Sequence, residues 1–461
     1  MRKPPRSCAR VILLLLSLGL GSLEAQRSYA ISGTLVTARG VIENGTMVVV
    51  DGRIQDIGPS PAVPKDAAVI AVDGIVFPGL IDLHNHLVWN VFPRWTLPSP
   101  VANRYEWQAM PEYVARLSGP EGTMIANGEG CDMERYAEIK ALLGGATSVT
   151  GSYGPISSAP HRNDCVKGLA RNLDVFSGLY SDQVNSEPLR YEVFPLQLGW
   201  QQAQAIRDGL GSGALRASIF HVGEGKDASA AREFLMFQAR GFLLPGVSIV
   251  HGVALRASDF REMAANGVGL IWSPRSNLEL YGKTTDVASA QASKVTIALA
   301  PDWSPTGSSG MLEELRVAVA WNQEHGHVFS DSEMLQMVTA NPARLAGVSD
   351  KIGVLAPGMM ADFIVLPKLG GPPLNSLLNS EPAGVKLVVV GGTPLLGTPD
   401  YLRKFPGATN TDVVTVCGQQ KALNIGQDTG GESWTAINGR LKAALTSLGT
   451  SLADLSECAA K

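Results

Sequence analysis

The strongest constraint on the fold is a series of short, almost wholly apolar segments between residues 77 and 345. "GATSVTGS", "DVFSGLY", "LRASIFHV", "GVSIVHGV", "GVGLIWS" and "KVTIALAPD" recur along this stretch. Strands without polar alternation are buried on both faces, as in parallel sheets. Between them lie helical stretches such as "CDMERYAEIKALLGG", "DASAAREFLMFQARG" and "GMLEELRVAVAWNQEHG". Several end in Gly, which suits a helix C-cap. Alternation of β and α over ~250 residues predicts a (β/α)8 TIM barrel or an open doubly wound sheet. Counting the strand that ends at His84, seven strands are legible, and the eighth is expected within 185–200 at "RYEVFPL". Neither GxGxxG nor GxxxxGK(S/T) follows a strand, so the nucleotide-binding sheet loses and the α/β barrel is preferred.

The flanks have a different texture. Residues 27–76 read as short alternating strands broken by Gly, Asn and Asp-Gly, and the same pattern returns within 346–400. This predicts a small β-sandwich domain built from both chain ends around a barrel of residues 77–345, with a C-terminal extension over 401–461. Hydrophobic residues at 45% and charged residues at 17% fit a packed core. A net charge of −4 without basic runs argues against nucleic acid as a partner and leaves a small molecule. An assembly of several copies is compatible with the sequence.

Residues 1–25 combine the basic "MRKPPRSCAR" with "VILLLLSLGLGSL", an apolar run too short to span a bilayer comfortably, and a small-residue site after Ala25. They read as a signal peptide, which predicts a periplasmic or secreted enzyme with no stable membrane insertion after cleavage. Beyond that segment stand Cys131, Cys165, Cys417 and Cys458. An even number in an exported protein suggests disulfides, and the sequence-local pairing is Cys131–Cys165 and Cys417–Cys458.

The chemistry collects at strand ends. In "VFPGLIDLHNHLVWN", His84 and His86 lie two apart, so they share a face where an apolar strand finishes. "IFHVGEG" ends a later strand with His221 and Glu224, "IVHGVAL" the next with His251, "IWSPRSN" the next with Ser273, and "IALAPDW" the last with Asp302. Polar residues thus recur at the end of the strands where barrel enzymes keep their chemistry. Three imidazoles and a carboxylate suit one divalent ion, Zn²⁺ before Fe²⁺ or Mn²⁺, with a position open for water. Such an ion brings the pKa of water toward ~7.

This combination resembles the amidohydrolase superfamily, in the branch of cytosine, guanine and S-adenosylhomocysteine deaminases, triazine hydrolases and imidazolonepropionase. The resemblance spans roughly residues 30–395, including "FPGLIDLHNH", "SPRSNLEL" and "VTANPARLAGVSDKIGVLAPGMMADFIVL". It implies that His84, His86, His221 and Asp302 bind the metal, and that Glu224 carries a proton to the leaving nitrogen. By the same resemblance His251 polarises the attacked centre or orients the hydroxide, and Asp302 also takes the proton of the water. Dinuclear relatives use a mid-barrel carboxylated lysine. Between residues 141 and 225 only Lys167 could serve, in a helical stretch, so a mononuclear site is expected. Pro301 stands where this branch carries Ser or Thr, which puts a hydrogen bond to Asp302 in doubt.

Arg275 in the "SPRSN" turn, Trp89, Asn90 and Trp303 adjoin these residues and are candidates for substrate contact. His161 lies in a loop that could reach the pocket, and the pair His325 and His327 reads as a solvated loop. The function expected is hydrolysis of carbon–nitrogen bonds other than peptide bonds in a small molecule. Deamination of an N-heterocycle and cleavage of a cyclic or linear amide both fit. The alternative from another class is a catalytically inactive relative that serves in binding or assembly.

Overall fold

The computed structural model describes residues 28–152, 169–176, 178–180, 188–405, 408, 411–426 and 431–458. The expected signal peptide, His161, Cys165 and Lys167 lie outside the described residues. The chain opens with β1 (Ser28–Thr37), β2 (Gly40–Val50), β3 (Arg53–Gly58) and β4 (Ala68–Pro78). β1 pairs antiparallel with β2 and parallel with β4, and β3 folds back on β2. The β2–β3 turn is Asp51-Gly52 with φ of 48° and 76°, the left-handed pair that a tight hairpin demands.

The middle of the chain carries β5 (Leu80–Asp82), β6 (Ala146–Val149), β7 (Arg171–Asn172), β8 (Leu189–Glu192), β9 (Ala217–Val222), β10 (Val247–His251), β11 (Gly269–Trp272) and β12 (Ile297–Leu299). Every ladder among them is parallel. They form a three-stranded sheet, β5-β6-β7, and a five-stranded sheet, β12-β11-β10-β9-β8. Both sheets face one core, in which Ile81, Leu173, Ile219, Val250, Ile271 and Ala298 pack together. The sheets touch at one seam. There Asn85 bridges Asp302 in parallel, Asp302 N donates to the His84 carbonyl (3.0 Å) and His86 N to the Asp302 carbonyl (3.3 Å). Among the described residues no ladder joins β7 to β8, so hydrogen bonding does not close the strands into a continuous ring.

β8 falls inside the interval expected for the least legible strand, but the run "DVFSGLY" is not a strand. The pairing moves back to Arg171–Asn172 and the chain then turns. Asn172 Oδ1 accepts from Asp174 N (2.9 Å), while Asp174 Oδ2 accepts from Gly151 N (3.1 Å) and Ser152 N (3.0 Å). The local bond from Asp174 N to the Asn172 side chain offers the backbone a turn in place of ladder pairing.

β13 (Phe363–Leu366), β14 (Leu387–Val390), β15 (Thr393–Gly397), β16 (Asp412–Val416) and β17 (Gln419–Leu423) return to the first strands through the antiparallel pairing of β13 with β4. The product is one nine-stranded sheet, β16-β17-β15-β14-β13-β4-β1-β2-β3, where two packed sheets were expected. Both chain ends do contribute. Its own core includes Tyr29, Ile31, Met47, Val49, Phe363 and Val389.

The C-terminal segment is anchored three ways. β16 and β17 extend the sheet, Cys417 is bonded to Cys458 across 41 residues, and the helix Trp434–Ser447 lies against the helix Gly130–Leu143. At that contact Arg440 grips Asp132 with two hydrogen bonds (2.6 and 2.8 Å) and Trp434 stacks on Tyr136. Cys131 is also disulfide-bonded; its expected partner lies outside the described residues.

Candidate metal centre

Each site residue is delivered by a strand end. His84 and His86 follow β5, His221 is the penultimate residue of β9, His251 closes β10, and Asp302 follows β12. His251 and Asp302 adopt left-handed backbone conformations, with φ of 66° and 68°. Non-glycine residues are uncommon there and costly to hold, and such outliers concentrate at functional sites. At Asp302 the seam bonds to His84 and His86 hold the strained turn in place.

The side chains converge. His84 Nε2 is 3.1 Å from His221 Nε2 and 3.2 Å from Asp302 Oδ1, and His86 Nε2 is 3.5 Å from the same oxygen. Tetrahedral zinc with ligands ~2.0–2.1 Å away sets neighbouring donor atoms about 3.3 Å apart, so these spacings fit. Asp302 Oδ1 is buried without a hydrogen-bond donor among the described residues, which a cation would resolve. Burial, reinforced by neighbouring imidazoles, holds His84 and His221 well below the ordinary histidine range. Burial also lowers His86, outweighing the pull of Asp302 and Glu224. Burial raises Asp302 above the ordinary aspartate value. Neutral imidazoles offer lone pairs to a metal, so the donor set fits one divalent ion.

One short helix, Pro274–Tyr281, orients the cluster from behind. Ser273 Oγ meets His84 Nδ1 (2.7 Å), Ser276 Oγ donates to Asp302 Oδ2 (2.6 Å), and Asn277 Oδ1 meets His251 Nδ1 (2.9 Å). The bond to Asp302 that Pro301 cannot make therefore comes from Ser276. Removing such a supporting bond costs ~10–100-fold in metal affinity. Ser276→Ala is expected to weaken zinc binding by that factor while leaving the fold intact, as read by competition against a chromogenic chelator.

Glu224 stands across the cavity. Tyr281 OH donates to its Oε1 (2.6 Å), and Oε2 lies 3.6 Å from both Arg104 Nη1 and His251 Nε2. Gly225, at φ 145°, makes this arrangement sterically feasible, since a Cβ there would sit 2.6 Å from Asn103 Cα. The segment Ala102–Arg104 can then lie against Glu224–Lys226, with Arg104 N donating to the Glu224 carbonyl (3.2 Å) and Lys226 N to the Ala102 carbonyl (2.7 Å).

The substrate-contact candidates divide. Trp89 and Trp303 line a cavity of about 180 Å³ together with His86, His221, Glu224, His251 and Asp302. Asn90 does not. Its side chain is buried between Asn85 Oδ1 (2.7 Å) and Ser304 N (2.7 Å), where it braces the turn. Arg275 turns away from the cavity to Glu457 (2.8 Å) and Glu279 (3.2 Å). On this helix the inward face belongs to Ser276 and Asn277, so Arg275 is carried to the opposite side. His325 caps the helix Met311–Glu324 and stacks on Trp321 at 4.2 Å, well outside the constellation. Tyr281, Arg104, Trp107, Tyr113 and Phe194 reach the site without having been singled out in the sequence.

The amidohydrolase family model matches residues 207–395, the stretch that carries His221, Glu224, His251 and Asp302. Over that stretch the chain is similar to the amidohydrolase family. It is 26% identical over 428 residues to an 8-oxoguanine deaminase of Pseudomonas aeruginosa, covering 78% of this chain and 91% of that one. It is 23% identical over 357 residues to a 5-methylthioadenosine/S-adenosylhomocysteine deaminase of Desulforudis audaxviator, covering 70% and 80%. Among solved structures, the fold matches an adenosine deaminase from Xanthomonas campestris with bound zinc at TM-score 0.65 and 17% identity, over 91% of this chain and 98% of that one. It matches an atrazine chlorohydrolase from Arthrobacter aurescens TC1 complexed with zinc at TM-score 0.64 and 18% identity, over 83% and 97%. The family match and the deaminase relatives together support a hydrolase of carbon–nitrogen bonds.

Proposed function

We propose that this protein is a zinc-dependent deaminase of an aminated N-heterocycle, working at the strand-end mouth of its α/β barrel. The observation that carries this reading is the position of Glu224, whose carboxylate faces His251 at 3.6 Å across the cavity from the imidazoles and Asp302. An acid–base group there can reach a leaving nitrogen. The deaminases among its relatives support the same assignment.

His84, His86, His221 and Asp302 would hold the zinc, which when bound would supply a Lewis acid able to make water nucleophilic near neutral pH. The residues around it divide the proton work. Asp302 keeps Oδ1 directed at the histidine Nε2 atoms because Ser276 occupies Oδ2, so Oδ1 is the oxygen able to take a proton from water. Glu224 Oε2, held in place by Tyr281 at the other oxygen, can take the other proton of that water and deliver it to the ring or amino nitrogen. His251 is fixed by Asn277 at Nδ1, so its Nε2 faces the reacting centre and steadies charge there. A catalytically inactive binding protein has no need of this complete and strained constellation.

The test is turnover by the zinc-loaded chain on a panel of aminated heterocycles, cyclic amides and linear amides, read as ammonia from the heterocycles, as ring opening of the cyclic amides and as amine or ammonia from the linear ones. Release from at least one aminated heterocycle is expected. Turnover confined to the amides would overturn deamination in favour of an amidase. We also propose that the enzyme is exported, which the basic and apolar opening segment and the Cys417–Cys458 disulfide support. Protein recovered outside the cytoplasm should begin at Gln26.

A further inference from the structure

The cavity has two halves of opposite character. Its floor is the constellation described above. Its described upper wall is Trp89, Trp107, Tyr113, Phe194 and Trp303, with Val193 and the single amide of Gln108. Trp89, Trp107, Tyr113 and Trp303 are locked by one another, and Phe194 is covered by the Arg104 guanidinium at 5.1 Å. Trp89 stacks on Tyr113 at 5.9 Å and 12°, Trp107 meets Tyr113 edge-on at 5.1 Å, and Trp107 lies 5.7 Å from Trp303.

The wall offers π-faces and few hydrogen bonds. The Trp107 indole N–H donates to Tyr281 OH (2.9 Å), and that of Trp303 to Thr306 Oγ1. Arg104, the guanidinium behind Glu224, is committed to Glu224, Glu233 (3.2 Å) and the Val193 carbonyl (2.7 Å). Among the described lining residues no cation remains to receive a carboxylate or phosphate. Among the described wall residues a ribose would find few partners beyond the Tyr113 hydroxyl and the Gln108 amide, and each hydroxyl left stranded weakens binding on the order of tenfold or more. A flat apolar ring instead gains from offset or edge contact with rigid indoles.

We propose that the substrate carries a flat, uncharged aromatic ring fused or attached to the carbon–nitrogen centre, and that this wall selects it over nucleosides and anionic analogues. The proposal rests on the deaminase reading for the placement of the reacting nitrogen, but its test does not depend on turnover. Binding of 4-aminoquinazoline, adenine and adenosine to the zinc-loaded full chain would be followed by isothermal calorimetry. The three share an aminopyrimidine and differ only in what meets the wall. Affinity should fall in that order, with at least tenfold between 4-aminoquinazoline and adenosine. Trp89→Leu keeps apolar volume and loses the ring, and should weaken 4-aminoquinazoline at least fivefold while changing adenosine less than twofold. Phe194→Leu is a second variant of the same kind, and one zinc per chain certifies that each variant is folded. Adenosine binding as tightly as 4-aminoquinazoline, no binding of the quinazoline, or equal losses for all three probes would overturn the proposal. Wall-dependent quinazoline binding without ammonia from any heterocycle would sustain it while removing the deaminase assignment.

Discussion

Asp302→Asn is expected to reduce turnover to background and to drop zinc content well below one ion per chain. Asparagine is the informative replacement because the backbone here sits at φ 68°, a region that Asp and Asn tolerate and that alanine resists. The seam through Asp302 N and the Asp302 carbonyl to His84 and His86 therefore survives the change. What disappears is the anionic oxygen that approaches His84 Nε2 at 3.2 Å and His86 Nε2 at 3.5 Å. A bound cation contributes several kcal/mol of transition-state stabilisation. At about 1.4 kcal/mol per factor of ten, its loss amounts to ~10³-fold or more. Elemental analysis and ammonia release on the same preparation check both halves. Stoichiometric zinc with wild-type rate in this variant would remove Asp302 from the site. Chelation of the wild type followed by added Zn²⁺ should restore activity, and the same treatment should not rescue the variant.

The residues that converge at the candidate metal centre were legible because strand ends are among the most predictable places in such a chain. An apolar run followed by a polar residue puts that residue at the sheet's edge, and a repeat of the pattern puts the residues near one another. His84, His86, His221, His251 and Asp302 needed nothing more than that geometry to be brought together. The supporting shell follows a different rule. Ser273, Ser276 and Asn277 are spaced i, i+3 and i+4, so a helix beginning in "SPRSN" turns all three toward His84, Asp302 and His251 and carries Arg275 outward. The spacing was in the sequence, and weighing it against the charge of Arg275 would have found the shell.

Other features depended on contacts that no local pattern encodes. Arg104, Trp107 and Tyr113 come from the long connection between β5 and β6, which is directed over the cavity by its bridge to Gly225. Strand texture at both chain ends foretold that they would meet, yet the pairing of β13 with β4, which makes one sheet of nine strands, is a matter of long-range register. The "DVFSGLY" run shows the converse. It is apolar enough for a strand, but Asn172 Oδ1 accepts from Asp174 N and sets a turn there instead.

Glu224→Gln separates chemistry from metal binding. Glutamine keeps the size and polarity of the side chain and can still accept from Tyr281 OH, which holds Oε1 at 2.6 Å. It cannot take up a proton and pass it on at the oxygen that faces His251 at 3.6 Å. Glu224 also lies outside both groups of residues whose donor atoms converge closely enough to share an ion. Zinc should therefore remain at one per chain while kcat falls ~10²–10⁴-fold, the range typical of a lost acid–base group. KM for the substrate should move far less than kcat, because the aromatic wall and the histidine floor are untouched. Loss of zinc from this variant would make Glu224 a ligand and reassign the proton transfer. An unchanged kcat would move it to another group within reach of the cavity, with His251 the first to test.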